Sequence, residues 1–230
     1  MKLLQTTAIA GLLVASGAAS ALELSGNVAL TTDYVWRGIS QTDGSPAIQG
    51  GFDADLGNGL YAGVWGSNVD FGDDDVGGDD SSANVEIDLY AGWAGEFNGV
   101  GVDVGVLHYA YPTSGSDTDF TEVYVGLSMG PASITQYFGV DAGSDDIGDA
   151  DYGNYTDIAL DLGEYAGIAL AAHVGYYDLN SDNGDYWDWK LAASTSYLGV
   201  DWEVAYSDVD NADVVNNDDP NLVLTVSKSL

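Results

Sequence analysis

Carboxylates dominate the side chains that could do chemistry in this chain of 230 residues: 37 Asp plus Glu stand against 4 Lys plus Arg and 2 His, for a formal net charge of −33. Many recur at every second position of apolar stretches. Asp53 and Asp55, Glu86 and Asp88, and Asp201 and Glu203 form such pairs, while Asp33, Asp103, Glu122, Asp157, Asp161 and Asp188 stand singly in similar surroundings. Only Arg37 and Lys190 offset them in these rows. Carboxylates that line one water-filled passage with low-dielectric walls concentrate cations and repel anions. Arg37 and Lys190 are then either charges at a constriction or, as the favoured reading, members of interior ion pairs.

Other chemistries fit the residues less well. The charge leaves no basic footprint for a nucleic-acid backbone. The absence of Cys excludes disulfide scaffolds, thiolate metal sites and thiol catalysis. His108 and His173 fall on different segments, and no nucleophile elbow, P-loop or dinucleotide glycine pattern accompanies them, so the chain is not expected to be an enzyme. His108 belongs to an apolar row and reads as an interfacial structural residue. Runs of Asp at positions 73–80, 145–151 and 208–219 offer oxygens of the kind Ca2+ or Mg2+ prefers, but lack the ordered ligand spacing of an EF-hand. They are read as a hydrated outer face, with no cofactor expected.

The elements that must position the carboxylates follow from the periodicity. Residues 1–21 carry Lys2, a short apolar stretch and Ala19-Ser20-Ala21, the pattern of a cleaved signal peptide. From residue 22 onward the pattern has period two, with apolar rows such as Val123, Val125, Leu127, Met129 and Val200, Trp202, Val204, Tyr206. Twelve strands are predicted, at about 22–38, 47–56, 60–70, 82–97, 100–112, 119–130, 132–141, 153–165, 167–179, 185–198, 199–210 and 221–230. Their connections alternate. Long ones at 39–46, 71–81, 113–118, 142–152, 180–184 and 211–220 are interleaved with tight turns at 57–59, 98–99, 130–131, near Ala166 and at 198–199. That is the layout of an all-β, antiparallel up-and-down transmembrane barrel over 22–230, with both termini on the tight-turn side. Closure satisfies every backbone group without an exposed sheet edge.

With the apolar rows facing lipid, the carboxylate rows face the lumen. The predicted pore-lining residues are Arg37, Asp53, Glu86, Asp88, Glu122, Asp188, Lys190 and Glu203. Aromatic pairs near strand ends, including Tyr34 and Trp36, Tyr109 and Tyr111, Tyr176 and Tyr177, and Trp187 and Trp189, are read as a girdle at the headgroup level. Lys228 lies in an outward row, where its stem can snorkel. The expected function is passive passage of small hydrophilic solutes, with cation bias, through the outer membrane of a Gram-negative bacterium. The expected partners are membrane lipid and those solutes or cations, with no nucleic acid and a monomer favoured. The alternatives are a non-conducting surface barrel acting as an adhesin or structural protein, and a secreted β-sandwich that binds calcium or carbohydrate.

The segment Ser25-Gly26-Asn27-Val28-Ala29-Leu30, followed by Asp33-Tyr34-Val35-Trp36-Arg37-Gly38-Ile39-Ser40-Gln41, resembles the opening of the TorF-family porins, a proteobacterial group of conserved hypothetical outer-membrane proteins. The likeness continues through Pro46-Ala47-Ile48-Gln49-Gly50-Gly51-Phe52-Asp53, Tyr61-Ala62-Gly63-Val64-Trp65-Gly66, Glu86-Ile87-Asp88-Leu89-Tyr90 and the closing Val226-Ser227-Lys228-Ser229-Leu230. It implies an exported outer-membrane barrel with a porin role, and no assigned substrate or catalytic residue. Barrels of this kind commonly finish in an aromatic residue, whereas this chain finishes in Leu230.

Overall fold

A computed structural model describes residues 22–71, 83–114, 118–142, 153–179, 184–210 and 220–230. The proposed signal peptide and most of the Asp-rich runs lie outside these residues. The elements are β1 (Glu23–Thr31), β2 (Val35–Trp36), β3 (Ile39–Ser40), β4 (Ala47–Gly57), β5 (Leu60–Asn68), β6 (Val85–Phe97), β7 (Val100–Ala110), β8 (Phe120–Met129), β9 (Ala132–Ala142), β10 (Asn154–Tyr165), β11 (Ile168–Asp178), β12 (Tyr186–Tyr197), β13 (Val200–Val209) and β14 (Asn221–Ser229). Each barrel strand pairs antiparallel with its chain neighbours, and β1 pairs with both β4 and β14. The result is a closed twelve-stranded barrel, with β2 and β3 forming a separate two-stranded hairpin.

Alternation along each strand sorts the side chains as the periodicity requires. The outward rows stay exposed and apolar: Leu30, Ile48, Phe52, Leu89, Val106, Val125, Ile158, Val174, Leu191 and Leu224 are all more than a third accessible. An apolar band of this extent around a closed barrel suits lipid rather than water. The tight turns hold pairs of residues at positive φ, including Asn98 (53°) with Gly99 (83°) and Leu198 (55°) with Gly199 (77°). Such pairs make the turn whose twist matches the flanking strands.

The first segment departs from expectation. It is not one strand over 22–38: β1 ends at Thr31, and Thr32 donates the last ladder bond, to the Leu224 carbonyl at 3.0 Å. The chain then turns inward, so that residues 32–46 form the β2–β3 hairpin inside the barrel. This also corrects the girdle. Tyr34, Tyr109, Tyr111 and Tyr177 are buried in the interior, whereas Tyr176 and Trp187 remain on the outer face with ring centroids 4.7 Å apart. The reason is parity, since adjacent residues of a strand cannot both face lipid. Tyr109 shares the inward row of Asp103, and Tyr177 must oppose Tyr176.

Candidate functional site: the barrel interior

The tip of the inward hairpin is the pair Arg37-Gly38, with φ of 47° and 83°. This is the two-residue turn with both central residues left-handed. An arginine there costs roughly 1–2 kcal/mol that glycine or asparagine would largely avoid. Gly38 itself is required: a Cβ at this position would stand 2.5 Å from Val209 Cγ1 and 2.7 Å from Asp188 Cβ, so the tip sits directly against the wall.

Arg37 is buried, and its Nη2 donates to both oxygens of Glu122 on β8, at 2.8 and 2.7 Å. Its guanidinium carbon lies 4.2 Å from the ring centre of Trp36, 5.2 Å from Tyr137, 4.2 Å from Tyr155 and 4.8 Å from Tyr177. A cation held among ring faces in a desolvated site gains from each ring quadrupole. Beside it, Trp36 makes edge contacts with Tyr109, Phe120 and Tyr177.

The base of the hairpin is fastened by Tyr34, whose hydroxyl donates to Glu86 Oε1 at 2.7 Å, while Tyr111 donates to Oε2 at 2.8 Å. Burial, reinforced by the Glu86 charge, holds the Tyr34 phenol well above its ordinary range, so it remains a donor. Asn221 Nδ2 donates to the Gly38 carbonyl at 3.1 Å, and Asp70 N to the Gln41 carbonyl at 2.8 Å. Asp33 organises the segment from within, accepting from the hydroxyls of Ser40 at 2.6 Å and Thr42 at 2.8 Å.

The interior divides the predicted site residues into groups. Glu86, Asp88, Glu122 and Asp188 are each no more than 2% exposed and are covered by the hairpin and its aromatic surroundings. Arg37 reaches the same region from the hairpin, not from the wall. Asp53 is only half-buried and accepts from Tyr90, near a second network in which Tyr61 donates to Asp103 at 2.6 Å and meets the Tyr124 hydroxyl. Lys190 faces His173 across β11 and β12 and interacts electrostatically with Glu203, Asp157 and Asp188.

The residue periodicity did not bring forward is His173. Its Nε2 lies 2.6 Å from Asp188 Oδ1 and its Nδ1 lies 3.2 Å from Asp157 Oδ2. Tyr155 donates to Asp188 Oδ2 at 2.8 Å. Both imidazole nitrogens therefore face carboxylates, a setting that an imidazolium satisfies by donating twice. The signal in the sequence was parity: His173 shares its row with Ala171 and Gly175, whereas His108 shares the outward row of Val104 and Val106. His108 Nδ1 is 3.0 Å from Thr121 Oγ1 on that outer face. Among the described residues, no group of three or more His, Asp or Glu side chains is placed to hold a metal ion.

The interior of this barrel is thus acidic, tyrosine-rich and crossed by one cationic hairpin tip. Its architecture is similar to that of solved membrane barrels. A chain from a study of the in-meso crystallisation of membrane proteins is 11% identical, with a TM-score of 0.51, over 90% of this chain and 83% of that one. Outer membrane phospholipase A from Escherichia coli is 14% identical, with a TM-score of 0.46, over 89% of this chain and 91% of that one. A porin refined at 1.8 Å is 15% identical, with a TM-score of 0.41, over 80% of this chain and 62% of that one. At these identities the likeness is one of fold. No curated protein matches the sequence. A family model does match, over residues 15–229, and by that match the chain belongs to Gcw_chp, a family of bacterial proteins of unknown function.

Proposed function

We propose that the chain is a porin-like channel of the Gram-negative outer membrane that passes small hydrophilic solutes and favours cations. The resemblance of its opening segments to the TorF-family porins supports the same reading. The observation that carries it is the charge of the inward rows. Asp53, Glu86, Asp88, Asp103, Glu122, Asp157, Asp188 and Glu203 share one interior with Arg37, Lys190 and His173. An enclosed surface of this sign draws cations from solution and excludes anions. The hairpin of residues 32–46 is the constriction of this channel, and no catalytic role is assigned to either histidine.

The test is the reversal potential of purified, refolded protein in a planar bilayer under a KCl gradient, with heat-modifiable gel mobility as the check of barrel formation. Discrete conductance steps with a cation-selective reversal are expected, small in the wild type because the hairpin narrows the path. Anion preference overturns the charge assignment. The filled region around Arg37 also suits the second reading, a non-conducting surface barrel. Silence from folded wild type and from a variant with the hairpin released establishes that reading in place of the channel.

A further inference from the structure

The contacts of Arg37 describe a receptor as well as a latch. The wall contributes the Glu122 carboxylate and the rings of Tyr137, Tyr155 and Tyr177, on β8, β9, β10 and β11 respectively. A carboxylate facing a box of tyrosine rings is a recognition site for an organic cation. Here that cation is delivered by the chain itself, at the tip of the two-residue turn Arg37-Gly38.

The fit is incomplete. Among the described residues, Arg37 Nη1 is buried without a hydrogen-bond partner, and so are Tyr186 Oη and Asp88 Oδ1. These groups share one neighbourhood: Tyr186 interacts electrostatically with Arg37 and Asp188, and Asp88 with Glu86 and Glu122. Native interiors leave few such atoms unsatisfied, and each costs about 1–3 kcal/mol. Among the described residues the tethered guanidinium thus spends one terminal nitrogen on Glu122 and leaves the other unused. An untethered guanidinium is free to turn and use more of its five donors.

We propose that the Glu122–Tyr137–Tyr155–Tyr177 pocket is a binding site for a small solute bearing a guanidinium group, and that Arg37 is its internal occupant, displaced when the solute binds. The inference rests on the channel reading in that it names a class of solute for the same lumen. Displacement of Arg37 frees the tip of the hairpin, so the solute that is recognised also widens its own path.

The decisive experiment is chemical rescue. Arg37→Ala protein, refolded in detergent and verified by heat-modifiable mobility, is titrated with methylguanidinium, and with sodium at equal ionic strength, while its thermal midpoint is followed. A saturable rise is expected with methylguanidinium only. Its half-saturating concentration should be about tenfold or more below that of the wild type, where the tethered Arg37 competes at a high effective concentration. Addition of Glu122→Gln to the variant should abolish the rise. An unsaturable response, or one equal in wild type and variant, overturns the site.

Arg37→Gln, which keeps a long side chain on the turn, serves if the alanine variant does not refold. If neither refolds, the wild type still decides: excess methylguanidinium must change the fluorescence assigned to Trp36 by its loss in Trp36→Phe, and no change overturns the proposal. The two readings fail separately. Cation-selective conductance without rescue sinks the site and spares the channel, whereas rescue in a silent barrel does the reverse.

Discussion

Arg37 and Glu122 are 85 residues apart in sequence, yet one guanidinium nitrogen donates to both oxygens of the carboxylate, at 2.8 and 2.7 Å. This contact joins the connection after the first strand to the wall of the sixth strand of the barrel, β8. Together with the Tyr34–Glu86 and Asn221–Gly38 contacts, it ties to the wall the hairpin that carries Trp36 and Tyr34 into the interior.

Loss of one partner should release the hairpin without opening the barrel. In Glu122→Gln the Arg37 charge loses its counter-charge while still buried, a change that typically costs about 3–5 kcal/mol. The barrel ladder does not depend on that contact. Limited trypsin digestion reads the result, since Arg37 is one of only 4 basic Lys or Arg positions in the chain. Cleavage after Arg37 is expected in the folded variant and not in folded wild type. Equal resistance would mean that the ion pair does not hold the hairpin.

Selectivity should depend on exposure, not on charge alone. Asp53 and Glu203 are half-buried, whereas Glu86 is 2% exposed and already engaged by Tyr34 and Tyr111. Asp53→Asn and Glu203→Gln should therefore lower the cation-to-anion permeability ratio of the wild type. Glu86→Gln should do so only when combined with Glu122→Gln. A large effect of Glu86→Gln alone in bilayer recordings would place the permeation path through the region the hairpin covers.

Gly175 is a packing position for the carboxylate cluster. A Cβ there would collide with the Tyr155 hydroxyl and with Asp188 Oδ2. Gly175→Ala should cost about 1–3 kcal/mol, as overpacking does, by forcing Tyr155 away from Asp188. The midpoint of urea unfolding from liposomes should fall accordingly. An unchanged midpoint would show that the ring has room to move.

The outer face makes an opposite demand. Val106 lies in an outward row on β7 at 41% exposure. Val106→Arg should destabilise the inserted barrel by about 2–4 kcal/mol if the position faces the middle of the bilayer. Wild-type stability in the variant, measured by refolding into lipid vesicles, would mean that this band does not meet lipid.

Period-two alternation determined most of this architecture from the sequence. Once Val123, Val125, Leu127 and Met129 form one row, Glu122 and Tyr124 must form the other, because consecutive strand residues point to opposite faces. The alternation of long and short connections then leaves an up-and-down closure, which the pairing of β1 with β14 completes. Asp53, Glu86, Asp88, Asp188 and Glu203 were legible as interior residues for the same local reason.

Residues 32–46 were not legible in this way. Asp33-Tyr34-Val35-Trp36 continues an alternation compatible with a strand, and nothing local says whether the ladder extends to residue 38 or stops at Thr31. That outcome depends on partners contributed by distant strands: Glu122, Glu86, Tyr155 and Tyr177 for the side chains, and Asn221 for the backbone. Likewise, parity sets His173 on the face opposite Ala172 and Val174, a signal the sequence reading did not use, and it could not bring Asp157 and Asp188 to the two nitrogens. Parity assigns a face, and only barrel closure assigns neighbours across the lumen. The rows follow from local sterics, whereas the latch follows from which rows the closed barrel brings within a few ångströms of one another.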